Sequence, residues 1–378
     1  MVQEMTSRER VLTALHHKTP DRVPIDFGGT ENSSIIKEGY DKLIQHIGFE
    51  QNKIEFLDMM MRSVKVAEEI QEYFETDFRG VFPSRTLPIK WVNDYTYIDQ
   101  WGIKWTKKEN IFYYEQVNYP LAGDINIKDI LNYNWPNPDE IAINEDLNKM
   151  AKKMREETDK ALVLSLPAPI IHTTQYLRGF EDWYMDCAGN VQLLETLFDK
   201  VLEINMAIAE KILKQAAKHV DIIKMADDIG MQTGLQVSPD FFRKIIKPRF
   251  KKYTDLIRKF APDTIIHIHS CGSIEAILKD FIEIGINVIN PVQVSAKNMD
   301  PKTLKSRYGN DLSFWGAIDT QSVLNRMDEA EVKKEVEKTI DILGENGGYI
   351  LSAVHNIQPD VPPENIVAMF EYAKKYKC

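Results

Sequence analysis

The chain has 378 residues, 43% hydrophobic and 28% charged, and its 47 basic and 57 acidic side chains give a formal net charge of −10. That balance suits a folded protein with ample core material and excludes disordered, collagen-like and disulfide-stapled classes. An acidic total with no long basic run also argues against a surface built to hold nucleic acid. Cys187, Cys271 and Cys378 are too few and too scattered for a secreted scaffold and fit a reducing, cytoplasmic compartment. The N-terminus is charged from the start, and the longest apolar stretch, 161–171, is broken by Ser165, Pro167 and Pro169, so neither a signal peptide nor a membrane span is expected.

In chain order, Thr6 with Glu9 three residues on predicts a capped first helix that ends near Lys18, with Val11, Leu12 and Leu15 on one face. Pro20 stops it, and Arg22–Phe27 reads as a short strand leading into the Gly28-Gly29 turn. Helices at 34–46 and 63–75 and a strand at 78–82 follow. Between Lys90 and Lys107, Trp91, Tyr95, Tyr97, Trp101 and Trp105 sit among β-formers, which predicts a hairpin excursion. From Ala161 the pattern turns regular: strands at 161–166, 220–225, 264–269, 287–290, 312–316 and 348–352 alternate with helices at 190–218, 239–260, 273–284, 328–343 and 362–376. Such alternation implies a parallel sheet, and the eight strands are the count that closes a (β/α)8 TIM barrel, with an open doubly wound sheet as the alternative. No repeat or linker divides the chain, so residues 1–378 read as one α/β barrel domain whose first 125 residues carry N-terminal helices and the hairpin. No dinucleotide or P-loop glycine string follows any strand.

Asp26, Asp227-Asp228, His269-Ser270-Cys271-Gly272, Gln293, Asp319 and His355 all fall at or just after the C-terminal end of a predicted strand. In a barrel those ends converge on one mouth, where active sites are built. Helix capping is the plainer account of any single Asp or Ser there, and it accounts less easily for histidine and cysteine. Within Thr264–Gly272, period-two alternation puts His267, His269 and Cys271 on one face, the last two at the mouth. Imidazole nitrogen with thiolate sulfur favours zinc, and three protein ligands leave a fourth position open. A buried thiol beside a hydrogen-bonded histidine is the alternative, and His267, deeper in the barrel, reads as a satisfied core residue.

Five strings occur in order: Ser7-Arg8-Glu9-Arg10-Val11 with Asp21-Arg22-Val23-Pro24, Tyr176-Leu177-Arg178-Gly179-Phe180-Glu181, Asp227-Asp228-Ile229-Gly230, His269-Ser270-Cys271-Gly272, and Pro359-Asp360-Val361-Pro362-Pro363-Glu364-Asn365. Together they resemble the uroporphyrinogen decarboxylase superfamily across nearly the whole chain, which implies a (β/α)8 barrel. Its decarboxylases resemble one another in an arginine-rich loop that binds tetrapyrrole carboxylates. Here that loop reads Asp26-Phe27-Gly28-Gly29-Thr30-Glu31-Asn32, with no arginine and two acids, which would repel such a substrate.

The His-x-Cys-Gly string is instead similar to that of the corrinoid-dependent methyltransferase branch. That resemblance implies zinc held by His269, Cys271 and a third ligand, for which this chain offers His355 where the branch has a second cysteine. His355 as a substrate contact, as in decarboxylases, stays open, and the missing cysteine counts against a thiol-methylating role. The implied activity is methyl transfer between a small molecule (methyl ether, amine or thiol) and a separate cobalamin-carrying protein, since the Asp-x-His-x-x-Gly string of a corrinoid domain is absent. Asp228 and Glu31 are then candidate catalytic residues, and Asp26, Gln175, Gln232 and Asp319 candidate substrate contacts. Trp91, Trp101, Trp183 and Trp315 either contact substrate or partner or pack the core. A metal-free decarboxylase of another acid and a non-catalytic tetrapyrrole- or corrinoid-binding barrel are the competing readings, and the assembly is open, a homodimer included.

Overall fold

The computed structural model describes residues 4–50, 53–83, 90–141, 143 and 146–376. Cys378 and the first three residues lie outside the described residues. Seven strands form one parallel sheet: β1 (Phe78–Val81), β2 (Ala161–Ser165), β3 (Ile222–Ala226), β4 (Ile265–His269), β5 (Val288–Asn290), β6 (Ser313–Ile318) and β7 (Tyr349–Ala353). Each pairs with the next in chain order. The ring closes through the N-terminal segment, where Ile25 bridges Leu351 of β7 in parallel and its carbonyl accepts from Asp77 N beside β1 at 2.9 Å. The predicted strand Arg22–Phe27 is thus a single bridge, because Pro24 lacks an N–H to extend a ladder and Gly28 turns the chain at φ +84. The fold is the expected α/β barrel.

Strand alternation divides the core in two. Leu162, Leu164, Ile223, Met225, Ile266, Ile268 and Phe314 face the surrounding helices, whereas Ala161, Val163, Ile222, Ile265, Val288, Trp315 and Ile350 fill the barrel interior. The helix Ser7–Leu15 plugs the N-terminal end with Val11, Ala14 and Leu15, and its Thr6–Glu9 capping box is present. Along the same inward-facing columns the residues turn polar toward the C-terminal ends: Val163 gives way to Ser165, Ile222 to Lys224, Ile265 to His267 and His269, Val288 to Asn290, and Ile350 to Ser352. The closed end is apolar and the mouth is polar, so the chemistry collects at one end.

Several local expectations change. Only Glu68–Tyr73 of the predicted 63–75 helix is helical; Ser63–Val64 pairs with Phe56–Asp58, in keeping with the β-branched Val64 and Val66. The predicted helix at 34–46 starts only at Lys37: Ile35 and Ile36 are extended, bridging Ile357 and Ser63. The hairpin is a four-stranded antiparallel sheet, completed by Glu115–Gln116. Helices Ile127–Leu131, Leu147–Glu157, Ile171–Arg178, Phe180–Gly189 and Pro301–Tyr308 add to those expected. Among the described residues, no helix is long and apolar enough to cross a membrane.

Candidate functional site

His269 is the last residue of β4, Cys271 follows two residues later, and His355 follows β7. One ligand atom from each lies within 4.8 Å of the others. Cys271 Sγ is 3.4 Å from His269 Nε2, and the two imidazole centroids are 5.2 Å apart. His269 Nδ1 faces Asn290 Oδ1 at 2.5 Å, which directs Nε2 into the cluster. Backbone contacts hold the cysteine: Asp228 Oδ1 accepts from Cys271 N at 2.7 Å, and Gln293 Oε1 accepts from Gly272 N at 2.7 Å. Glycine is required at this turn, because Gly272 sits at φ +87 and a Cβ there would come within 2.5 Å of the Gly230 backbone.

Burial, reinforced by His355, pushes the His269 imidazole down to about 3, and burial also lowers His355, so both rings are neutral, the form that binds a metal. Burial, with Asp228 nearby, raises the Cys271 thiol and keeps it protonated by itself; a divalent cation among the three would reverse that preference. The set fits zinc. Bond lengths of about 2.0 to 2.3 Å place tetrahedral ligand atoms about 3.5 Å apart, close to the sulfur–nitrogen distance here, so only His355 must approach.

Two residues that sequence reasoning missed complete the charge pattern. His172, on Ile171–Arg178, lies 3.3 Å from both Asp227 Oδ1 and Asp228 Oδ2. Burial opposes its charge, but hydrogen bonds to the two aspartates raise its pKa, and despite burial His172 in turn holds Asp228 below the usual carboxylate range. Asp227 also accepts from the N–H groups of Ile170, Ile171 and His172, so it does cap a helix, but the earlier Ile171–Arg178 and not the next one, as the plainer reading had it. Lys224, in β3, ends 2.8 Å from Glu31 Oε2, which also accepts from Ser165 Oγ at 2.8 Å. Burial opposes ionisation of Glu31, yet the ammonium and the hydroxyl hold it down to about 2. A lysine inside the apolar run Ile222-Ile223-Lys224-Met225 was a legible signal.

The other expected contacts scatter. Asp26 is fully buried beneath the mouth, its oxygens taken by Gly29 N at 2.8 Å and Trp315 Nε1 at 2.9 Å, and burial pushes its carboxyl up to about 6. It shapes the loop and offers no surface to a substrate. Gln175 is buried against Gln236, which in turn donates to Asp228 O at 3.1 Å. Gln232 bonds Ser295 O and Gln293 on the rim. Asp319 lines a cavity of about 340 Å³ with Cys271, His355, Gln293, Asn325 and Asp360. His267 is buried as expected but not satisfied: among the described residues neither ring nitrogen has a hydrogen-bond partner, and the ring packs edge-on against Trp315. Trp101, Trp183 and Trp315 are core residues, while Trp91 is half exposed.

A (β/α)8 barrel with a histidine–cysteine cluster at its C-terminal mouth is the architecture of a barrel enzyme. Residues 125–376 match the Uroporphyrinogen decarboxylase (URO-D) family, and the chain belongs to that family. It is 26% identical over 233 residues to "Methylcobamide:CoM methyltransferase MtaA" of Methanosarcina barkeri, covering 60% of this chain and 62% of that protein. It is also 26% identical over 183 residues to a uroporphyrinogen decarboxylase of Prochlorococcus marinus subsp. pastoris, covering 48% and 49%. The matched stretch thus spans about half to three fifths of the length of these curated relatives. A solved methyltransferase from Methanosarcina mazei superposes with a TM-score of 0.63 at 19% identity, covering 98% of this chain and 99% of that one, a likeness of fold.

Proposed function

We propose that this chain is the methyltransferase component of a corrinoid-dependent system, moving a methyl group between a small molecule and a cobalamin carried by a separate protein. The observation that carries the reading is the convergence of His269, Cys271 and His355 at the barrel mouth beside a small-molecule-sized cavity. The similarity to a methylcobamide-dependent enzyme supports it, and the arginine-free loop 26–32 weighs against a decarboxylase of polycarboxylated tetrapyrroles. We read residues 1–378 as one domain working in a reducing, cytoplasmic setting, where Cys271 stays a thiol.

His269, Cys271 and His355 would hold zinc, which supplies a Lewis acid able to stabilise negative charge on the heteroatom that bears the methyl group. The chain's own residues prepare that position. Asn290 fixes the His269 ring, while Asp228 and Gln293 hold the Cys271-Gly272 backbone. Asp228 and Glu31 are both held ionised at neutral pH, so each acts by orienting donors and balancing charge and neither delivers a proton. Gln293 and the exposed Asp360 line the cavity at the mouth, where a carrier protein would present its corrinoid.

Elemental analysis of freshly purified protein, beside His269→Ala and Cys271→Ala, tests this. About one zinc per chain in the parent and loss in both variants is the expected result. A metal-free parent that cannot be reloaded would overturn the reading and favour a metal-independent decarboxylase, which keeps full activity in chelator, or a binding protein without turnover.

A further inference from the structure

We propose that the cavity beside Cys271 and His355 takes a primary carboxamide, an acetamide or propionamide arm on the rim of the corrin that a carrier protein presents. The proposal rests on the methyl-transfer reading of this site and names what recognises the partner's cofactor. Asp319, directly after β6, and Asn356, directly after His355, are 3% and 2% exposed, and both line the cavity. Asp319 Oδ1 accepts from Gln321 N at 2.6 Å and Ser322 N at 3.3 Å, which leaves Oδ2 with no hydrogen-bond partner among the described residues. Asn356 Oδ1 accepts from Ser34 N at 3.0 Å, which fixes the orientation of the amide and leaves Nδ2 equally without a partner. Neither atom is sealed away as the ring nitrogens of His267 are, so the space each reaches is the cavity.

A free acceptor and a free donor in the same cavity define the ligand. An ammonium offers donors only and would leave Asn356 Nδ2 unmet, and a carboxylate offers acceptors only and would set its charge against Asp319. A primary carboxamide meets both, with its N–H on Asp319 Oδ2 in a charge-assisted hydrogen bond and its oxygen on Asn356 Nδ2. Thr320, which also lines the cavity, adds a hydroxyl that can serve either atom of the amide. Corrins carry such arms around the ring, where the tetrapyrroles of decarboxylases carry carboxylates, so this wall separates the two macrocycles in the same sense as the arginine-free loop 26–32. Size agrees. At about 30 Å³ per displaced water, an arm of about four heavy atoms fills about 100 Å³, and the cavity of about 340 Å³ leaves the remainder for a small methyl compound beside Cys271 and His355. A whole corrin does not fit, so the ring stays over the mouth with its carrier.

Equilibrium dialysis of the full chain against dicyanocobinamide, read by corrin absorbance, tests this without methyl transfer; cyanide on both faces of the cobalt keeps Cys271 and the histidines from ligating it. We expect saturable binding below about 1 mM, about tenfold or more tighter than that of the heptamethyl ester of dicyanocobyrinic acid, whose arms accept and cannot donate. Asp319→Asn turns the free acceptor into a donor and Asn356→Asp does the reverse, each keeping Oδ1 for its backbone partner, so each should weaken cobinamide about fivefold or more. The double variant exchanges the two roles, and an amide rotated by half a turn fits it, so affinity should return to within about threefold of the parent. No binding at about 1 mM, single variants with unchanged affinity, or a double variant no better than the singles would overturn the proposal. Propionamide should compete with cobinamide; a chain that binds propionamide and ignores cobinamide would assign the cavity to a small amide and overturn the corrin source. Methyl transfer from no donor, with the cobinamide pattern intact, would remove the proposed function and leave this recognition standing. Transfer by a chain whose single variants bind cobinamide as the parent does would do the reverse.

Discussion

Replacing Glu31 by Gln leaves the Lys224 ammonium without its carboxylate inside the barrel. Lys224 Nζ lies 2.8 Å from Glu31 Oε2, and the two side chains are 5% and 22% exposed. A carboxyl held at about 2 in place of 4.5 contributes stability equivalent to about 3 kcal/mol at neutral pH. An orphaned buried charge costs about 3 to 5 kcal/mol by the same logic. The expected loss for Glu31→Gln is therefore about 3 kcal/mol, and for Lys224→Met a similar amount. Because the double variant buries no charge, it should lose far less than the two singles together, with a coupling energy of about 2 kcal/mol or more. Urea unfolding of the four proteins at pH 7 measures this cycle. The sign with pH is set as well: Glu31's pKa is lowered on folding, so the gap between parent and Glu31→Gln is full above 4.5 and closes as pH falls toward about 2. Additivity within about 0.5 kcal/mol, or a gap that does not change with acid, would refute the argument.

Gly272→Ala should cost about 3 kcal/mol or more, since it combines a positive φ with overpacking against the Gly230 backbone, and, by displacing Cys271, should abolish retention of the zinc proposed above. Thermal melting and metal content check it, and a variant with parental stability and metal would show that the two loops separate freely. Asp26 acts in the opposite sense to Glu31: its carboxyl is raised from 3.8 to about 6, so the stability it confers is complete below 3.8 and is lost as pH rises through about 6. Parent stability relative to Asp26→Asn should fall by about 2 kcal/mol between pH 4 and 7, and a flat difference across that range in denaturant titrations would show that Asp26 is not buried in the neutral form.

The barrel was legible because each β-strand from Ala161 onward is a short apolar run between amphipathic helices, and parallel strands covered by helices must be apolar on both faces. His269 and Cys271 were legible for a related reason, as two coordinating residues at the end of such a run are not explained by capping. The first strand was harder, since Pro24 and Gly28 reduce it to one bridge whose partner, Leu351, lies more than three hundred residues away. Helix 171–178 went unread, and with it His172, whose meaning depends on two aspartates from another loop.

Which expected residues share a site was settled only in three dimensions. Asp26, Gln175 and Asp319 all follow or flank strands, yet Asp26 and Gln175 are sealed below or beside the mouth by Trp315 and Gln236, while Asp319 keeps one oxygen toward the cavity. Local spacing determines which way a side chain leaves its own strand, and so it determined the barrel, the polar mouth and the pairing of His269 with Cys271. Which distant side chain fills the space opposite is decided by closure of the ring. That closure brought His355 to within 4.8 Å of the pair and set Lys224 against Glu31.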